Sequence, residues 1–263
     1  MRKKDNIEYF DEEYDDEPRK RKKKKGGRLN RILFCIAAVA VAVVTYIGCR
    51  GYEMYSRAVT AEPIADMAER IRSGEHYTTL EELPDIYVKA LVSVEDKRFY
   101  SHKGIDIRSI GRAALINIRD GQFSEGGSTI TQQLAKNQYY TQEKNFIRKA
   151  AEAITAINME QELSKDDILE LYINSIFYGD NCYSIYDASM HYFGVPPSEM
   201  TDYQCTLLVG IPNAPSAYSL SVSPELAYQR QIQVTDAMVT AGVLTNEEKT
   251  AILSEKTQKT TLY

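Results

Sequence analysis

The sequence predicts a mainly α protein in which one membrane-spanning helix precedes a helical domain. Three observations carry this. Ile32 to Cys49 is an uninterrupted run without charge; helix-start signals recur from residue 79 onward; and no series of alternating strand segments appears. A charge-free run of that length is enough to cross a hydrocarbon core of roughly 30 Å as a helix.

Taken in order, residues 1–31 contain no aliphatic run and hold two opposed charge blocks, Asp11-Glu-Glu-Tyr-Asp-Asp-Glu17 and Arg19-Lys-Arg-Lys-Lys-Lys-Lys25. Such a segment cannot bury enough apolar surface to order itself, so a disordered cytoplasmic tail is expected. Residues 32–49 read as an uncleaved anchor. The run exceeds a signal-peptide core of about 7–15 residues, and no small-x-small cleavage site follows. Tyr46-Ile47-Gly48-Cys49 departs from a lipoprotein box by carrying Tyr where Leu is usual. The basic block lies before the span and only Arg50 and Arg57 lie close after it, which puts the N-terminus in the cytoplasm and residue 50 onward outside. The net charge of −5 averages unlike parts. The lysine run beside a membrane suits anionic lipid and gives no support to nucleic-acid binding.

Residues 50–75 are expected to form a membrane-proximal linker and first helix, 76–250 the functional domain, and 251–263 a C-terminal tail. Thr79-Leu-Glu-Glu82, Thr201-Asp-Tyr-Gln204 and Thr245-Asn-Glu-Glu248 fit capping boxes, and Ser164-Lys-Asp-Asp167 is a weaker version. The helix after Ser164 is expected to bury Ile168, Leu171, Tyr172 and Ile176. Pro196-Pro197 and Pro212-Asn-Ala-Pro215 mark loops. In Ile105 to Phe123, Ile107, Ile110, Ala113, Ala114 and Ile118 form an apolar stripe interrupted by Arg108, Arg112 and Arg119. A core face is the expectation, with insertion among lipid headgroups as the alternative. Cys182 and Cys205 are the ectodomain pair, bridged or free, and His76, His102 and His191 are too scattered for a zinc site.

Chemistry concentrates in three stretches. Gly126-Gly-Ser-Thr-Ile-Thr-Gln-Gln-Leu-Ala-Lys-Asn137 packs hydroxyls, amides and one cation around two large aliphatic residues, Ile130 and Leu134, which stand four apart and anchor a narrow face. It is built to hold something polar. Glu95 and Asp96 end an apolar helix, Ile86 to Val94, where the helix dipole disfavours carboxylates. Phe99, His102 and Gly104 are expected to close a loop around a carboxylate and raise its pKa, as a general base requires. The plain alternative is an ion pair with Lys97, Arg98 or Lys103. Arg148 and Glu152 stand four apart on one helical face, and with Lys136 and Lys149 they offer three cations to a diphosphate.

These blocks, in this order, resemble the peptidoglycan glycosyltransferases, glycosyltransferase family 51, the transglycosylase module of class A penicillin-binding proteins and their monofunctional relatives. The likeness runs from about Pro84 to Gly242. Glu95-Asp-Lys-Arg-Phe99 with His102 and Gly104, then Gly126 to Asn137, then Arg148-Lys-Ala-Ala-Glu152 carry it. Ile168-Leu-Glu-Leu-Tyr-Ile-Asn174, Tyr178-Gly179, Tyr192-Phe-Gly194 and Pro212-Asn-Ala-Pro215 complete it.

The resemblance implies a lysozyme-like bilobal helical domain, with Glu95 as catalytic base and Glu152 as second essential acid. It implies substrate contacts from Asp96, Phe99, His102, Ser128, Thr129, Gln132, Gln133, Lys136, Asn137, Arg148 and Lys149. The substrates implied are lipid II and the growing glycan strand, with membrane lipid and cell-wall synthesis proteins as partners. A divalent cation, Mg2+ or Mn2+, is expected near the diphosphate, with Glu152 or Asp96 contributing; no organic cofactor is. The chain departs from the family at Tyr183-Ser184-Ile185 and at Asp202-Tyr-Gln-Cys-Thr-Leu-Leu208, which puts local loop geometry in question. No Ser-x-x-Lys nucleophile of the accompanying transpeptidase follows the span, so a monofunctional polymerase is expected. A murein hydrolase built on two glutamates and a non-catalytic cell-wall scaffold are the competing readings.

Overall fold

The charge-free run folds as part of α1, Gly26–Ala61. In this computed structural model residues 26–120, 126–141 and 145–255 are described, and of residues 26–29, 118 and 120 the backbone alone. Both charge blocks of the tail and residues 256–263 lie outside them. Among the described residues one helix, within Asn30–Ala61, is long and apolar enough to cross a membrane. It does not give way to a linker after Cys49, as the sequence reading expects. Gly51 is the only glycine between Arg50 and Ala61, a stretch without proline, and it is buried in a packing contact. Pro63, the first proline after the charge-free run, ends the helix, and α2, Ile64–Arg72, follows with Ile64, Met67, Ala68 and Ile71 turned inward.

Thr79 and Glu82 form their capping box, but on a short 3-10 turn, Leu80–Glu82. The helix proper, α3, Asp85–Glu95, starts after Pro84 and buries Tyr87, Ala90 and Leu91. Asp106 then caps α4, Ile107–Asp120, by accepting from the amides of Arg108 and Ser109. Burial alone would raise the Asp106 carboxyl. The Arg98 guanidinium, in a two-point contact at 2.8 and 3.0 Å, and the Ser109 hydroxyl and amide outweigh it and hold the group well below the usual carboxylate range.

The core expectation for α4 fails. Ile107 is 80 % exposed and Leu115 71 %, and of the stripe Ala113 is buried while Ile110 and Ala114 are exposed. The side chain of Ile118 and residue Phe123 lie outside the described set.

The remaining helices are α5, Ile130–Tyr139; α6, Phe146–Glu162; α7, Lys165–Ile173; α8, Ile185–Phe193; α9, Asp202–Gly210; α10, Pro215–Tyr218; α11, Pro224–Thr240; and α12, Asn246–Ser254. Capping boxes at Ser164, Thr201 and Thr245 open α7, α9 and α12 with both reciprocal bonds made. Helix α7 buries Ile168, Leu171 and Tyr172 as expected, while Ile176 is buried beyond its end. No strand forms among the described residues.

Two helix groups share one core. Helices α3, α9 and α11 pack together, as do α5, α6 and α7, and Leu91, Leu208, Val234, Leu134, Met159 and Leu169 meet in the same hydrophobic cluster. Burying each such side chain is worth roughly 1.5–3 kcal/mol. Gly104 joins the motif loop to this frame. Its φ is +81° and an added Cβ would lie 2.7 Å from the backbone of Ala156, so glycine alone fits.

The departures from the family pattern are accommodated. Ser184 has an extended φ of −139° and caps α8 by accepting from the Asp187 amide. In α9 the buried Thr206 hydroxyl bonds the Asp202 carbonyl and receives the Gln231 amide. Cys182 and Cys205 are free and buried; burial pushes their thiols up to about 11 and about 12.

Candidate active site

Glu95 is the last residue of α3, and Asp96 caps it. Their side chains diverge. Asp96 turns inward, where its Oδ2 accepts from His102 Nε2 at 2.8 Å and from the Ile130 amide, the first of α5, at 3.1 Å. His102 and Asp96 are both buried, and His102 Nδ1 faces Glu160 at 3.7 Å. Glu160 in turn accepts from Thr131 and Lys165. The motif loop thus encloses Asp96, where the sequence reading left open which carboxylate it would hold.

Phe99 is fully buried, with Lys165 Nζ 4.3 Å from its ring centre. Arg98 pairs with Asp106, which removes it from the acidic pair. These residues fix the loop to the core: Asp96 ties α3 to the N-terminus of α5, where a carboxylate meets orphan amides and the positive end of the dipole.

Glu95 faces the opening. Its Oε2 accepts from Gln133 Nε2 at 2.8 Å, and Gln133 in turn accepts from the Tyr172 hydroxyl at 2.9 Å. Arg230 of α11 stands 3.7 Å from Glu95 Oε1, both side chains largely shielded. The sequence reading missed Arg230. The close packing that delivers it was equally silent: a Cβ on Gly210 would lie 2.9 Å from Arg230 Cγ, so the glycine makes room for the arginine stem.

On α5, Thr129 and Gln132 form a capping box, and the Thr129 hydroxyl also donates to the Gly104 carbonyl. Both are buried and engaged with the backbone, so these two members of the polar run build the helix start. Gln133, Lys136 and Asn137 share the next face by their 3- and 4-residue spacing; Asn137 is exposed and Lys136 half-buried. Ile130 and Leu134 are fully buried beneath them.

Helix α6 supplies the second acid. Glu152 is buried, with Arg148 Nε 3.0 Å from Oε1 and Lys149 Nζ 3.0 Å from Oε2. Lys149 Nζ also donates to Ser128 Oγ at 2.6 Å, bridging α6 to the glycine-led segment. Arg148 reaches the Thr141 carbonyl at 2.9 Å. Burial pushes the half-buried Lys136 ammonium below the ordinary lysine range, and the charges of Glu152, Arg148, Lys149 and Glu95 all act on it. Alongside Glu95, a polar cleft of about 60 Å³ is lined by Lys97, Ser109, Gly127 and Ser128. One carboxylate poised at an opening beside a group of cations suits deprotonation of a hydroxyl next to an anionic leaving group.

A resident cation does not fit these donors. Among the described residues no group of three or more His, Cys, Asp or Glu side chains is placed to hold a metal ion. Of the two expected contributors, Asp96 is committed to His102 and Ile130, and Glu152 to two cationic side chains.

A family model described as Transglycosylase matches residues 62–239, starting earlier than the Pro84 read from the motifs. Penicillin-binding protein 1A of Neisseria flavescens is 41% identical over 180 residues, 68% of this chain and 23% of that protein. Penicillin-binding protein 1F of Bacillus subtilis (strain 168) is 42% identical over 183 residues, 70% of this chain and 26% of that protein. The chain thus spans about a quarter of the length of these relatives. The crystal structure of penicillin-binding protein 1A from Haemophilus influenzae superposes with a TM-score of 0.40 at 21% identity, covering 68% of this chain and 17% of that one. The match to the family model over more than half of its length shows that the chain belongs to the transglycosylase family, the peptidoglycan glycosyltransferases of glycosyltransferase family 51.

Proposed function

We propose that this domain polymerises lipid II into glycan strands from the outer face of a membrane to which α1 anchors it. The observation that carries this reading is the pairing of an oriented carboxylate, Glu95, with cations grouped around a second, buried one, Glu152. Glu95 takes the proton from the 4-hydroxyl of the acceptor sugar. The freed oxygen attacks the anomeric carbon of the lipid-linked strand, the bond to undecaprenyl diphosphate breaks, and the anomeric centre inverts. Gln133 and Arg230 hold the carboxylate in place for that transfer. Lys136, Arg148 and Lys149 neutralise the departing diphosphate, and Ser128 and Asn137 position its surroundings.

Purified full-length protein in vesicles containing lipid II is expected to form glycan polymer and to leave finished murein intact. Clearing of murein without polymer would establish the hydrolase instead, and neither activity would leave the scaffold. Within the polymerase reading, Lys136→Ala is expected to weaken lipid II binding, and unchanged binding removes Lys136 from the diphosphate site. The pH dependence has a definite sign: because burial lowers the Lys136 pKa, wild-type binding fades on the alkaline side before an exposed lysine, near 10.4, would titrate. Lys136→Arg moves that limb upward.

A further inference from the structure

The portion of α1 from Thr45 to Ala61 is itself docked. Ile47, Gly51, Met54, Tyr55, Ala58 and Val59 are its buried or half-buried residues and recur at helical three- and four-residue spacing, while the positions between them are exposed. Val59 packs on the core. Gly51 is the one fully buried member. A Cβ there would lie 2.7 Å from Ala150 Cβ and 3.2 Å from the Ala151 nitrogen. Ala150 and Ala151 are the two residues between Lys149 and Glu152 in α6. Three residues earlier, a Cβ on Gly48 would meet nothing within 4 Å. Closeness is therefore a property of one position, and it falls where α6 carries its charges.

We infer that Gly51 is a positioning residue for the diphosphate site: by letting α1 touch α6 at Ala150, it sets the distance from Lys149 and Glu152 to Ser128. The Lys149–Ser128 bond, 2.6 Å long, joins α6 to the segment before α5. Packed interiors do not absorb a methyl group without displacement. A side chain at position 51 pushes the first turns of α6 outward, Lys149 loses Ser128, and the cations no longer converge. The part of this that concerns diphosphate rests on the polymerase reading; the contact and its effect on Lys149 do not.

The test uses full-length protein and two readouts. Lys149 and Lys165 are acetylated with an amine reagent and quantified by mass spectrometry, Lys165 serving as the reporter of general loosening because it bonds Glu160 and covers Phe99. Gly51→Ala and Gly51→Val are expected to speed acetylation of Lys149 severalfold, more for Val, with Lys165 unchanged. Polymerisation kcat/KM is expected to fall on the order of 10²-fold for Gly51→Val, the scale of a misplacement near 1 Å. Adding Ala150→Gly to Gly51→Ala removes the 2.7 Å clash and restores both readouts in part, contacts of 3.2 and 3.3 Å to the α6 backbone remaining, and Gly48→Ala changes neither. The inference is overturned if Lys149 reacts as in wild type, if Lys149 and Lys165 accelerate together, or if Ala150→Gly fails to rescue. A wild-type protein that makes no polymer defeats the functional reading alone, and the acetylation series still decides this one.

Discussion

Glu95→Gln is expected to cut lipid II polymerisation by about 10²–10⁴-fold, the range a positioned general base contributes, with thermal unfolding close to wild type. The substitution preserves volume and still offers an oxygen to Gln133 Nε2, now 2.8 Å from Glu95, but it cannot accept a proton. Its structural cost is small because the amide keeps the Gln133 hydrogen bond, and Arg230, at 3.7 Å, stands beyond hydrogen-bond length from the oxygen it faces. Fluorescent lipid II and gel separation of the products measure the rate. A Glu95→Gln protein that polymerises at the original rate would sink the base assignment, whatever its stability.

The second large effect combines activity with stability. Glu152→Ala removes the partner of two cations at a position 1% exposed. Breaking a buried ion pair from one side costs about 3–5 kcal/mol, and the half-exposed Lys149 places this site near the lower end. For a domain of this size about 3 kcal/mol lowers Tm by roughly 6–12 °C. Polymerisation should be lost as well, because Arg148 and Lys149 then repel each other and Lys136 loses a countercharge. Glu152→Gln keeps the volume and is expected to melt closer to wild type while staying inactive. An active Glu152→Gln would mean that the carboxylate holds α6 together and contributes nothing further.

Much of the frame was legible because its signals are local. A Thr or Ser three residues before Gln, Glu or Asp opens α7, α9 and α12 as the spacing implies. The same signal is present at Thr129 and Gln132, where a capping box and a sugar-binding run use the same residue types and the local sequence does not separate them. For Asp96, Phe99 and His102, proximity to Glu95 in sequence does not say how exposed each is, and all three are buried. Arg230 left no local trace, for it reaches Glu95 from α11 only after the α3–α9–α11 packing has formed. The stripe on α4 has the period of a buried face, and period alone cannot tell a face covered by protein from one left open.

The Gln133 amide has a direction, giving its nitrogen to Glu95 and its oxygen to the Tyr172 hydroxyl. Sequence changes at positions 133 and 172 are therefore coupled, and neither is neutral when it comes first. A lineage that first exchanges Tyr172 for Phe releases the amide to rotate, and the rotated amide presents oxygen to oxygen at Glu95. One that first exchanges Gln133 for Glu sets two carboxyl groups against each other beside the opening. Variation at the buried phenol is thus constrained by an acid it never touches.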